Sequence, residues 1–180
     1  YHGMGGSANA ETKFETSTTG VTLTGGLNAT YDSSAVAALY LKNTNDSGTV
    51  VQFAKNDGGI VGSITQTTSA TAYNTSSDYR LKENEVAISD GITRLKTLKP
   101  YRFNFKTDSS TTVDGFFAHE AQTVVPEAVT GTKDEVDSDG KAVIQGIDQS
   151  KLVPLLTAAL QEAVTKIETL EAKVAALEAG

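Results

Sequence analysis

Along residues 1–76 the apolar positions come in short runs, each closed by turn-forming residues. Val21-Thr22-Leu23-Thr24 runs into Gly25-Gly26, and Ala38-Leu39-Tyr40-Leu41 into Asn43-Thr44-Asn45-Asp46. Val50-Val51-Gln52-Phe53 is closed by Asn56-Asp57-Gly58-Gly59 and followed by Ile60-Val61-Gly62-Ser63-Ile64. This spacing predicts short strands joined by tight turns. No stretch of this half has helical periodicity, and no long-period repeat is visible.

The pattern changes after residue 76. Ser89 or Asp90 can cap a short helix with Ile92, Leu95 and Leu98 on one face, stopped by Pro100. Tyr101-Arg102-Phe103-Asn104-Phe105-Lys106 alternates aromatic and polar, the period of a half-buried strand. A polar turn is expected over 107–112, a returning strand over 113–118 and a short helix over 120–125, ended by Pro126. An acidic, Gly-containing loop over 130–141 then leads into a strand over 142–147.

Residues 151–179 carry the clearest periodicity. Val153, Leu160, Ile167 and Val174 fall at a, and Leu156, Ala163, Leu170 and Leu177 at d. Lys166 and Lys173 at g face Glu171 and Glu178 at e across a parallel coiled coil, with opposite signs. Parallel self-association follows, although β-branched a with Leu at d leans towards two strands. Ala158-Ala159 suggests that the first turns also pack on their own domain. A single amphipathic helix lying on a monomer's core is the alternative.

Composition sharpens the division. Gly, Ser, Thr and Asn make up 38 of residues 1–76 but only 25 of residues 77–180. The first half thus has too few large apolar residues to offset an ordering cost of roughly 1–2 kcal/mol per residue. It is either disordered or ordered by winding against copies of itself, and the regular recurrence of β-formers favours winding. The chain opens on Tyr1 rather than Met and reads as part of something longer.

A net charge of −7 argues against nucleic acid, whose phosphates demand a basic footprint. No apolar run approaches a membrane span and no signal peptide opens the chain. With no cysteine and only His2 and His119, far apart, the sequence excludes a disulfide scaffold and a Cys-ligated metal site and argues against a His-based one, and no cofactor or metal is expected.

One pair can carry chemistry: Ser77 with Lys82. A serine needs a base to become a nucleophile, and a lysine serves when desolvation favours its neutral form. Five residues span about 16–18 Å if extended, so the chain must turn between them or the pair must form across subunits. The alternative is an N-cap dipeptide, Ser77-Asp78, beside a solvated lysine. His119-Glu120 is a weaker proton-transfer pair, because adjacent side chains rarely face each other. Asp134-Glu135-Val136-Asp137-Ser138-Asp139-Gly140 is similar to a calcium loop but has Gln145 and Gly146 where the terminal Glu is sought, and reads as a solvated turn. Glu83 and Glu85 lack an acid partner at a glycosidase-like spacing, and no phosphate loop or G-x-S-x-G elbow is present.

The ordered motifs of the second half resemble a known family. They are Ser77-Asp78-Tyr79-Arg80-Leu81-Lys82-Glu83-Asn84, Leu95-Lys96-Thr97-Leu98-Lys99-Pro100-Tyr101-Arg102-Phe103-Asn104-Phe105, Gly115-Phe116-Phe117-Ala118-His119-Glu120-Ala121-Gln122, Val125-Pro126-Glu127-Ala128-Val129 and Ser150-Lys151-Leu152-Val153-Pro154-Leu155-Leu156. Together they are similar to the C-terminal intramolecular chaperone domains of bacteriophage tail fibres and tailspikes, classed as S74 peptidases. His119 stands where the family is expected to have Gln. Ala72-Tyr73-Asn74-Thr75-Ser76 looks like the family's approach to its cleavage point.

The resemblance implies an α+β chain: a β-rich trimeric shaft segment, 1–76, then a small α+β chaperone domain, 77–180, ending in a coiled-coil helix over 151–179. It implies a parallel homotrimer with the upstream shaft as folding client. It further implies a single-turnover serine endopeptidase acting in cis at the Ser76–Ser77 bond, with Ser77 as nucleophile and Lys82 as general base. Asp78, Arg80 and Asn84 match motif positions and would position the turn. The expected location is the virion tail fibre or spike after assembly in the host cytoplasm, with the chaperone domain released on cleavage. Two alternatives are a non-cleaving trimerisation cap and a receptor-binding tip that engages a host surface glycan.

Overall fold

The computed structural model describes residues 41–180, together with the backbone of two strands at Lys13–Ser17 and Gly20–Thr24. The chain is α+β and forms two compact units, Tyr1–Glu83 and Asn84–Gly180.

In the first unit, strands β1 (Lys13–Ser17) and β2 (Gly20–Thr24) pair antiparallel, Lys13 opposite Thr24 and Ser17 opposite Gly20. Strands β3 (Gly48–Ala54), β4 (Ile60–Gln66) and β5 (Thr71–Thr75) form an antiparallel meander. The β-forming runs at 21–24, 50–53 and 60–64 thus fall within strands, whereas β5 has no counterpart among the strands expected from sequence. The expected strand at 38–41 lies, except for Leu41, outside the described residues.

Gly58 turns the chain between β3 and β4 with φ +83°, a conformation that favours glycine, while Asp57 accepts the Gly59 N–H. Among the described residues of this unit none is buried. Phe53 and Tyr73 are 53% and 82% exposed, so one copy of the sheet leaves its apolar side chains in water.

The second unit has a small core. Leu98, Ala121, Val124, Val125, Ala128, Leu152 and Leu155 are buried together, flanked by Leu95, Phe116, Val129 and Ile147. Helix α1 (Gly91–Leu95) supplies one wall, helix α3 (Val153–Glu178) another, and the short helix α2 (Ala118–Ala121) with the following turn the third. Pro154 suits the first turn of α3, where its missing N–H has no helical partner to lose. Gly91 lies so close to α3 that an added Cβ would stand 2.5 Å from the Ala159 nitrogen. Leu155, Ala158 and Ala159 are the buried residues of α3, which accounts for the small side chains there.

Several boundaries differ from those expected. Asp90 occupies the α1 N-cap position without a side-chain cap bond; Glu162 on α3 accepts the Gly91 and Ile92 N–H groups instead. The hairpin of β6 (Tyr101–Phe105) and β7 (Asp108–Gly115) turns at residues 106–107, so β7 starts five residues earlier than expected. Asp108 begins it by accepting the Ser110 hydroxyl and N–H. Helix α2 starts at Ala118, which ends the returning strand before that residue. The strand expected over 142–147 shrinks to β9 (Gly146–Ile147), because β8 (Val129–Thr130) offers only two partners before Gly131 leaves with φ +84°.

On α3 the aliphatic a and d positions stay open in one chain, from 46% exposed at Leu156 to 82% at Leu177. The first turns pack on their own domain, as the paired alanines suggest, while the heptad seam faces solvent along the helix. Among the described residues no helix is long and apolar enough to cross a membrane.

Candidate active site

The candidate residues lie where the meander ends. Strand β5 pairs with β4 from Gln66 opposite Thr71 to Gly62 opposite Thr75. Ser76 adds two contacts beyond this ladder: its N–H donates to the Val61 carbonyl at 3.1 Å. Its Oγ donates to the Ile60 carbonyl, also at 3.1 Å. Ser76 is therefore tied to β4 twice.

The chain then turns back on itself. Asp78 is extended and caps a single 3-10 turn, Tyr79–Leu81, by accepting the Arg80 N–H at 2.9 Å. The same carboxylate receives the guanidinium in a two-pronged contact, from Arg80 Nε at 2.9 Å and Nη2 at 2.7 Å. Arg80 thereby holds the Asp78 carboxyl below the usual aspartate range, and Asp78 raises Arg80 in return. Arg80 is largely in water and Asp78 partly so, and their ion pair shapes the turn more than it stabilises the fold. Backbone bonds from Leu81 to Asp78 and from Lys82 to Tyr79 close the turn.

The result is a direct contact between the two residues singled out by sequence: Lys82 Nζ donates to Ser77 Oγ at 2.7 Å. The turn removes the separation of an extended chain, and the contact forms within one subunit. Ser77 and Lys82 are both exposed. Asn84 follows with φ 54°, a left-handed conformation that asparagine tolerates better than most residues. An amine in contact with a hydroxyl is the arrangement from which a lysine, once neutral, can take a serine proton.

The other candidates are not part of this arrangement. Glu120 accepts from Lys99 at 3.1 Å, and Lys99 holds its carboxyl below the usual range. His119 stacks on Phe117 with ring centroids 6.1 Å apart. Asp137 folds its loop by accepting the Asp139 and Lys141 N–H groups. Among the described residues no cluster of three or more His, Asp or Glu could hold a metal ion.

Sequence reasoning missed one contributor to this site, the anchoring of Ser76. Ser76 was placed at the bond but not on β4; the β-forming Thr71-Ala72-Tyr73-Asn74-Thr75 after the polar Thr67-Thr68-Ser69 was the available signal. Outside this site, the Glu162 cap on α1 also escapes a heptad reading, which concerns only a, d, e and g. The second stripe, Leu155, Ala158, Ala159 and Glu162, has the spacing of a face packed on its own domain.

This small α+β unit carries a long helix whose aliphatic seam is open in one chain. Residues 77–130 match the family described as chaperone of endosialidase, whose name also carries a peptidase class, S74. Over these residues the chain is similar to that family, in line with the resemblance. No curated protein matches the chain.

Proposed function

We propose that residues 77–180 form an intramolecular chaperone that assembles as a parallel trimer, guides the folding of the β-rich shaft, 1–76, and then releases itself. The observation that carries the release step is the 2.7 Å contact between Lys82 Nζ and Ser77 Oγ, beside the bond to be cut.

Lys82, in its neutral form, takes the proton from Ser77 Oγ as that oxygen attacks the Ser76 carbonyl carbon. The attack closes a five-membered ring through the Ser77 nitrogen. Collapse forms the Ser76–Ser77 ester and breaks the peptide C–N bond, with the proton passing from Lys82 to the departing nitrogen. Water then hydrolyses the ester, leaving a Ser76 carboxylate and a new Ser77 amino terminus. Withdrawal of water favours a neutral amine, so assembly that covers the exposed pair would couple chemistry to association.

The shaft benefits from such a module for physical reasons. Non-local β pairings form slowly and can slip register. A parallel coiled coil holds the shaft ends at high local concentration and in one stagger. Removing the coil afterwards leaves an interlocked shaft that is slow to unwind. The setting that suits this cycle is a bacteriophage tail fibre or spike assembled in the host cytoplasm.

A non-cleaving trimerisation cap is the second reading, supported by the open seam on α3, which calls for association with or without cleavage. Ser77→Ala and Lys82→Ala separate the two. The proposed cycle requires that each variant stay whole while the parent chain divides; the cap reading requires that all three stay whole.

A further inference from the structure

Self-cleavage needs the Ser76 carbonyl to be held as firmly as the Ser77 hydroxyl, and the holding groups belong to β4. The Ser76 N–H and Oγ reach the adjacent carbonyls of Val61 and Ile60, both at 3.1 Å. On the other side of the bond, Lys82 holds Ser77 Oγ at 2.7 Å. The peptide between Ser76 and Ser77 is thus restrained from both ends, which fixes the rotations that an attack by Ser77 on its own preceding carbonyl must satisfy.

The register of β5 on β4 determines whether the first restraint exists. Asn74 Nδ2 donates to Thr65 Oγ1 at 2.9 Å and to Ser63 Oγ at 3.4 Å, pinning the strands across one face. Thr67 closes the connecting turn through its N–H to the Ala70 carbonyl at 2.8 Å. Gly62 packs against the β5 backbone so closely that a Cβ there would lie 2.9 Å from the Asn74 carbonyl oxygen. A slip of one residue would move Ser76 by roughly 3.3 Å and turn its side chain to the opposite face. A misplacement of about 1 Å already costs on the order of 100-fold in a reaction that depends on alignment.

We infer that Ser76 is a positioning residue for self-cleavage, and that its hydroxyl on Ile60 makes the cut conditional on correct pairing of the last hairpin before it. This inference rests on the proposed self-cleavage. It assigns the acyl side of the bond a requirement for a small hydroxyl residue, and it gives the module a local check on its client.

Cleavage time courses of the full chain test it, with Ser76→Ala, Ser76→Thr and Gly62→Ala beside the parent. Ser76→Ala is expected to slow cleavage about fivefold or more, and Ser76→Thr, which keeps the donor, to stay within about threefold of the parent. Gly62→Ala is expected to slow it at least as much as Ser76→Ala, although it touches neither Ser77 nor Lys82. If Ser76→Ala cleaves at the parental rate, or Thr fails to rescue what Ala loses, the inference is overturned while the dyad reading stands. If Gly62→Ala fails to fold, the Ala/Thr contrast at the exposed Ser76 still decides. A parent chain that never cleaves overturns the self-cleavage reading and this inference together.

Discussion

The Glu162 carboxylate on α3 caps helix α1 from 71 positions away, accepting the backbone N–H groups of Gly91 and Ile92. Because no side chain near Asp90 makes a cap bond, α1 depends on α3 for its start. Glu162→Ala should therefore destabilise the unit by about 1–2 kcal/mol in chemical denaturation, and Glu162→Gln by less, since an amide still offers one acceptor. Gly91→Ala should cost about 1–3 kcal/mol through overpacking against Ala158 and Ala159. Unchanged denaturation midpoints would contradict this description of the α1–α3 contact.

The open seam predicts that association runs through α3. Leu170→Glu puts a charge at a d position, and should weaken self-association by more than about 3 kcal/mol in sedimentation experiments. Glu168→Lys, at an outer b position, should leave the assembly intact. Equal sedimentation of both variants would place the interface elsewhere.

Asp78 shapes the turn that brings Lys82 to Ser77. Asp78→Ala removes both the cap on the Arg80 N–H and the guanidinium contact, and should slow cleavage by about tenfold or more. Asp78→Asn keeps a cap acceptor and should fall between Ala and the parent. Equal rates for Ala and Asn would mean that the ion pair, not the cap, sets the turn.

Stability should fall on acidification. Lys99 lowers Glu120, Arg102 lowers Asp114, and the Ser150 hydroxyl lowers Asp148. For each, the folded state binds fewer protons than the unfolded state as pH drops through about 4, so the stabilisation is complete above that range and lost below it. Lys99 is raised by the same partner, so its contribution persists to alkaline pH and disappears only above about 10, while Arg102, raised by Asp114, stays charged beyond that. The exposed pairs keep each effect small. Tm should be nearly level from about pH 5 to 9 and decline below pH 4, less steeply in Lys99→Met; a Tm that rises on acidification would contradict these assignments.

Much of this arrangement was legible in the chain. Strict alternation exposed β6, the heptads exposed α3, and the Ala158-Ala159 pair indicated which turns of α3 pack inward. The Ser77–Lys82 contact was legible as a candidate because a turn between them is cheap, and Asp78 as a cap and turn-positioning residue; geometry adds that the cap and the contact occur together rather than as alternatives. Boundaries failed where distant partners decide them. Residues 142–147 have strand-forming residues but find only two partners on β8, and Asp90 looks like a cap whose place Glu162 takes. β5 was obscured because its apolar content is only Ala72 and Tyr73, and its pairing depends on β4 rather than on a core.

The most direct test of the central claim is the intact mass of freshly purified chain, followed by amino-terminal sequencing of any smaller product. Self-cleavage at the serine–lysine contact predicts two products, the downstream one beginning at Ser77, and a single undivided species for both Ser77→Ala and Lys82→Ala. An undivided parent in an assembled state, or a cut that persists in either variant, would contradict it.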